Sequence, residues 1–234
     1  MTAYFISGLG ADQRAFQRIH LDGSVNIRHI KWIDPIRNES LQQYTSRIAA
    51  QIDQKQEFIL IGLSFGGMLA IELARILSPK RIILISSITD RKQLPVFFRI
   101  VGMLKLNRLV PGRLFKKPNF LIYQLFGAKN EKDRQLLLEI FKDASPRYLY
   151  WSINQILNWK NDFIPSGYYH IHGEKDKLLP VKRTHPHKII KGAGHLMILT
   201  HAGEVGRLIN EELVKNTPQQ LLTTELSTYS RPHD

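Results

Sequence analysis

"ILIGLSFGGMLAIELARIL", residues 59–77, sets a single serine between glycines, directly after an apolar run and directly before a long apolar stretch. Gly62 and Gly66 stand two residues either side of Ser64. Residues without a side chain at those positions let a strand end and a helix start approach closely, and the serine between them is forced into a strained, outward-pointing conformation. The stretch therefore reads as strand, tight turn and buried helix with an exposed hydroxyl at the turn.

The neighbouring sequence repeats this strand–helix alternation. "AYFISG" (3–8) and "VNIRHIKWI" (25–33) are rich in β-branched and aromatic residues, while "FILIGLS" (58–64) and "RIILISS" (81–87) are apolar on both faces, as strands inside a parallel sheet are. Leu41, Tyr44, Ile48 and Ile52 fall on one helical face, with Asn38 or Ser40 as the cap, so a crossover helix is expected there. The stretch 66–77 is apolar nearly all round and should be the most buried helix, stopped by Pro79. Alternation resumes with strands at 167–173 and 187–192 and a last helix from about 196 to 214. The expected fold is α/β, with a mostly parallel central sheet of about six strands flanked by helices.

Between the two halves the alternation lapses. Residues 88–160 carry helix-like pieces such as "LPVFFRIVGMLKLNRLV" (94–110), "EKDRQLLLEIFKDA" (131–144) and "SPRYLYWSINQILNW" (145–159), punctuated by proline and glycine. The chain thus divides into a core part, 1–87, an inserted helical lid, 88–160, a second core part, 161–214, and a polar tail, 215–234, without sustained periodicity.

Bulk properties narrow the function. No apolar run approaches the roughly 18 residues of a membrane span, and "MTAYFISGLG" has neither a basic lead nor a cleavage site, so a cytoplasmic protein is expected. The absence of cysteine removes disulfides, thiolate metal sites and a thiol nucleophile. "GLGADQR" (8–14) lacks the Gly-Lys-Ser/Thr ending of a phosphate loop, and the histidines show no metal-ligand spacing, so neither a cofactor nor a metal is expected. The net charge of +13 is concentrated: residues 91–134 hold eleven basic and two acidic side chains. The favoured reading puts those charges on a solvated outer face over an apolar underside; the other reading is contact with an anionic membrane surface. No specific nucleic-acid motif accompanies them.

A serine hydroxyl needs a base to remove its proton and an acid to orient that base. Asp176 in "HIHGEKDKLLP" (170–180) and His195 in "GAGHLMIL" (192–199) each follow a strand, and both lie after Ser64 in the order nucleophile, acid, base. Asp90, after the preceding strand, is the rival acid. Asp176 could instead serve only its turn. His170 and His172 read as structural strand residues, Asp12 as a helix cap, and Arg14 as a solvated side chain or, less simply, a contact for an acidic substrate.

With these three segments in order, residues 2–212 resemble the α/β-hydrolase superfamily. "GLSFGG" is similar to its nucleophile turn, "HGEKDKLLP" to the segment bearing its acid, and "GAGHLMIL" to its histidine loop. The resemblance implies a glycine-rich turn after the first strand whose backbone binds an oxyanion. "ISGLGADQRAF" fills that place, which nominates the N–H groups of Leu9 and Phe65. Ser7 stands where the family usually has histidine, which raises a question about the geometry of that loop. The chain begins at this strand, so the family's leading antiparallel hairpin is expected to be missing. The resemblance implies a serine hydrolase acting on a small-molecule carboxylic ester or related acyl bond through an acyl-enzyme, cofactor-free. Thioester hydrolysis and acyl transfer use the same constellation, and a noncatalytic ligand-binding member of the fold is the rival from another class.

Overall fold

The computed structural model describes residues 1–106 and 120–215. Six strands, β1 (Thr2–Ile6), β2 (Asn26–His29), β3 (Phe58–Leu63), β4 (Arg81–Ile85), β5 (Tyr168–Gly173) and β6 (Lys188–Ile190), form one sheet in the order β2-β1-β3-β4-β5-β6. Every neighbouring pair runs parallel. The strand ends read from sequence were too generous. β2 stops at His29, after which the chain leaves the sheet and Trp32 turns to other work.

Alternate residues of the central strands feed two cores, one on each face. Phe5, Ile61 and Ile83 enter one layer, and Tyr4, Leu60 and Ile82 enter the other. The first layer is closed by Phe16 and by the last helices, α7 (Met197–Thr200) and α8 (Ala202–Val214), with Val205, Leu208 and Ile209 inward. The second is closed by α1 (Leu41–Ile48) and α2 (Phe65–Leu73). Ser40 caps α1 in a reciprocal box with Gln43, which satisfies two otherwise orphaned N–H groups. All nine residues of α2 are buried, as its sequence requires. It ends at Leu73, before Pro79, where the Arg75 and Ile76 N–H groups tighten to the i−3 carbonyls of Glu72 and Leu73. The single final helix expected from 196 to 214 is broken at His201.

Among the described residues four α-helices lie between β4 and β5: α3 (Val96–Met103), α4 (Phe120–Phe126), α5 (Glu131–Asp143) and α6 (Pro146–Asn158). Asn130 caps α5, Ser145 caps α6, and Pro146 occupies the first turn where a missing N–H costs nothing. α6 is tied to the body by indole hydrogen bonds, Trp151 to the Glu39 carbonyl at 2.8 Å and Trp159 to the buried Glu72 carboxylate at 2.7 Å. Residues 107–119, which include the end of the helical piece read at 94–110, and the tail beyond Lys215 lie outside the described residues. Among the described residues no helix is long and apolar enough to cross a membrane.

The order β2-β1-β3 reverses direction at β1, and in open parallel sheets the crevice at such a reversal, beyond the carboxyl ends of the strands, is where ligands bind. Ser64 follows β3 and Leu9 follows β1, so the topology sets both at that crevice. Close packing makes it possible. A Cβ on Gly62 would fall 2.5 Å from the Gly66 carbonyl oxygen, and one on Gly66 would fall 2.1 Å from the Ile6 carbonyl oxygen. Gly66→Ala should therefore destabilise the protein by about 1–3 kcal/mol or more in urea unfolding. Gly203→Ala, at a helical position open to solvent, should be neutral or stabilise by up to about 1 kcal/mol. Equal effects at the two sites would contradict this account of the turn.

Candidate active site

Ser64 sits between β3 and α2 with φ 53° and ψ −116°, a conformation that costs a non-glycine residue about 1–3 kcal/mol. Its surroundings enforce it. The Ser64 N–H donates to the Ile85 carbonyl at 2.8 Å, while the Ser64 carbonyl accepts from Gly67 N–H at 2.9 Å and from Ser87 Oγ at 2.7 Å. With both backbone groups held, the side chain is aimed out of the turn. Ser87, at the carboxyl end of β4, was visible in the sequence only as the end of a strand.

The two partners arrive on loops from the other half of the chain. His195 Nε2 lies 3.0 Å from Ser64 Oγ, and His195 Nδ1 lies 2.7 Å from Asp176 Oδ2. Asp176 also serves its turn: Oδ1 accepts the N–H groups of Leu178 at 2.9 Å and Leu179 at 2.8 Å. One oxygen thus fixes the loop and the other faces His195. Burial works against the charged carboxylate, but the field of His195 and hydrogen bonds from His172 and His195 outweigh it and hold Asp176 well below the ordinary carboxylate range. An ionised Asp176 can only accept, so Nδ1 carries the imidazole proton and the Nε2 lone pair faces the Ser64 hydroxyl. The rival Asp90 is placed elsewhere, accepting from Lys92 N–H at 2.7 Å.

His172 does more than fill the strand. Its Nε2 lies 2.7 Å from the Leu179 carbonyl and 3.2 Å from Asp176 Oδ2, so that nitrogen carries the proton and donates to both. Its Nδ1 is then left to accept from His170 Nε2 at 3.1 Å. This buried line, His170 to His172 to Asp176 to His195 to Ser64, was not evident from the spacing of the two strand histidines. The only sequence signal was their i, i+2 placement on one strand face.

Phe65 N–H follows Ser64 in the chain, and the loop bearing Leu9 passes beside the serine. A Cβ on Gly8 would lie 3.4 Å from Ser64 Cβ, which puts the Gly8–Leu9 peptide against the serine. Among the described residues neither N–H donates to a protein acceptor. The loop carrying Leu9 is clamped: Ser7 Oγ donates to the Ala11 carbonyl at 2.6 Å, and Trp32 Nε1 lies 2.8 Å from Ser7 Oγ and 2.7 Å from the Ala11 carbonyl. The Trp32 ring also stacks on Phe65. Ser7 and Trp32 together shape the loop in which the family usually has histidine. No sequence signal marked Trp32.

A cavity of about 650 Å³ opens beyond this loop, lined by Asp12, Arg14, Trp32, Asp34, Asp143 and Tyr148 among others, but not by Ser64 or His195. Arg14 is already committed there, at 2.7 Å from both Asp12 and Asp143, while Asp12 caps the following turn. Its charge is satisfied by protein. On the opposite side, the end of α4 meets the histidine loop: Leu196 N–H donates to the Phe126 carbonyl at 2.9 Å, and the Phe126 ring sits edge-on to His195. Among the described residues no cluster of three or more potential ligands could hold a metal ion.

A model of the alpha/beta hydrolase family matches residues 6–208. The chain belongs to that family. No curated relative matches the sequence. Among solved structures, this α/β hydrolase is similar to a bromoperoxidase from Bacillus anthracis, with a TM-score of 0.66, 16% identity and 91% of each chain covered. It is also similar to a meta-cleavage product hydrolase from Pseudomonas fluorescens, with a TM-score of 0.65 and 16% identity over 93% of this chain and 92% of that one. An esterase from Thermogutta terrifontis matches with a TM-score of 0.62 and 14% identity, covering 92% of this chain and 90% of the other. At such identities the shared property is the fold.

Two measurements test the site's energetics. Ser64→Gly should be more stable than Ser64→Ala by about 1 kcal/mol, because glycine relieves the positive φ; a less stable glycine variant would mean that the turn is unstrained. The second concerns pH. Burial, reinforced by His172 and His187, pushes His170 down to about 3. Its imidazole in the unfolded chain titrates near 6.5, so the unfolded state takes up the proton first, and stability present above about pH 6.5 is lost as pH falls toward 3. The loss should be on the order of several kcal/mol, and His170→Leu should flatten the slope of unfolding free energy against pH between about 6.5 and 4. An unchanged slope would assign the acid sensitivity to other groups.

Proposed function

We propose that this α/β hydrolase is a serine hydrolase that cleaves a carboxylic ester through an acyl-enzyme. The observation that carries the reading is the unbroken line from Asp176 through His195 to a strained, outward-facing Ser64, at 2.7 and 3.0 Å. Ser64 Oγ attacks the ester carbonyl carbon as its proton passes to His195 Nε2. The carbonyl oxygen becomes an oxyanion, and the unpartnered N–H groups of Leu9 and Phe65 are the donors suited to receive it. Collapse breaks the bond to the alcohol oxygen, which leaves with the proton from His195. Water then attacks the acyl-enzyme, again deprotonated by His195, and the acid departs with Ser64 restored.

Asp176 holds the imidazole in the tautomer this sequence of transfers needs and balances the imidazolium that forms. The fold shared with the Thermogutta terrifontis esterase accords with ester chemistry. Arg14 has no part in the reading, since Asp12 and Asp143 already engage it.

A serine-directed fluorophosphonate should label the wild-type protein, and Ser64→Ala should abolish both labelling and hydrolysis of short-chain nitrophenyl esters without loss of fold. Asp176→Asn should lower kcat by up to about 10⁴-fold by disturbing the imidazole's tautomer and orientation, whereas Asp90→Asn should leave it unchanged. Labelling that persists in Ser64→Ala, or greater damage from Asp90→Asn, would overturn the assignment.

A further inference from the structure

Helix α3 is built inside out. Val96, Phe97, Ile100, Met103 and Leu104 are all exposed, Phe97 at 70%, Met103 at 67% and Leu104 at 57% of their surface. At about 100° per residue these five occupy an arc of about 120°, one coherent apolar stripe. The opposite face packs on α6 through a small residue: a Cβ on Gly102 would fall 2.6 Å from the Leu157 carbonyl oxygen. Arg91 secures the seam by donating from Nε to the Leu157 carbonyl at 3.0 Å. The seam is thus made by Gly102 with the half-buried Phe98 and Val101, while Val96, Phe97, Ile100, Met103 and Leu104 stand outward. In this helix the large apolar stripe faces outward, whereas an apolar underside is expected from the sequence of residues 91–134.

The charge of this stretch of sequence says what kind of surface would cover such a stripe. From Arg91 to Asn130 the sequence has nine basic and no acidic residues, of which Arg91, Lys92, Arg99, Lys105 and Lys129 are among the described residues. Lys92 and Lys105, at either end of α3, are exposed. A second copy of the chain would bring two such segments face to face without an acidic partner between them. Nucleic acid would satisfy the cations but leave Phe97 and Met103 in water. An anionic lipid surface meets both requirements, because an in-plane amphipathic helix buries its apolar face at the headgroup boundary while lysine and arginine pair with the lipid charge.

We propose that the outward face of α3 docks this enzyme on anionic membrane surfaces, Phe97, Ile100, Met103 and Leu104 entering the interface and Lys92 and Lys105 facing the headgroups. Binding is peripheral and reversible, and it weakens with salt. It does not depend on the ester chemistry proposed above and is read without substrate.

The test is co-sedimentation of the full chain with vesicles of phosphatidylcholine alone and of phosphatidylcholine containing phosphatidylserine. The wild type should bind the anionic vesicles and not the neutral ones, with binding lost as the Debye length shortens from about 10 Å to about 3 Å. Phe97→Glu with Met103→Glu should weaken the partition at least about tenfold. Turnover of a short soluble ester should be unchanged, since neither residue touches Ser64, His195 or Asp176. Lys92→Glu with Lys105→Glu, on exposed positions, gives a second variant that should weaken binding to anionic vesicles. Failure of the wild type to bind anionic vesicles, or binding unaffected by either pair, would overturn the proposal. So would concentration-dependent dimerisation abolished by Phe97→Glu with Met103→Glu, because the occupant would then be a second copy.

Discussion

The contact between the start of α2 and the end of β1 governs the rest of the molecule. Gly66 lies so close to the Ile6 and Ser7 carbonyl oxygens that no methyl group fits between them. This approach brings the first turn of a fully buried helix against the crevice where the sheet reverses its winding. It leaves the residue before that helix no ordinary backbone conformation, so Ser64 takes a positive φ and its hydroxyl points away from the packed side. The same approach sets the loop after β1 beside the serine, and among the described residues the Leu9 and Phe65 N–H groups donate to no protein acceptor. One steric constraint therefore places the Ser64 hydroxyl beside the loop that follows β1.

Around this turn, strain is balanced by hydrogen bonds that leave few alternatives. Ser87 holds the Ser64 carbonyl, Ile85 holds its N–H, and Trp32 with Ser7 fixes the loop bearing Leu9. On the other side, Asp176 divides its two oxygens between its own turn and His195, while His172 stands behind it as a further donor. A buried carboxylate with these partners remains ionised, and it then dictates which imidazole nitrogen faces the serine. The electrostatics follow from the packing.

The helices described between β4 and β5 connect this centre to the surface. The end of α4 reaches the His195 loop, α5 and α6 contribute to the core, and α6 hangs on two indole hydrogen bonds to the body. α3 rests on α6 by a glycine and keeps its large apolar residues outside. Different helices thus meet the His195 loop and present an exposed apolar face.

Much of this architecture was legible because strong local signals coincided with it. Apolar runs of strand length, the helical spacing of Leu41, Tyr44 and Ile48, the Ser40 cap and the glycines about Ser64 depend on neighbours in sequence, and local sterics determine them. Three short motifs in order likewise marked Ser64, Asp176 and His195 as residues to examine. Other features depended on partners far along the chain. Trp32 meets Ser7 across 25 residues, Ser87 meets Ser64 across 23, and α3 meets α6 only after the chain has folded back. The outward stripe of α3 shows the difference most plainly. Periodicity establishes that a helix has an apolar side, but which side is covered depends on what packs against it, and there Gly102 on Leu157 decided.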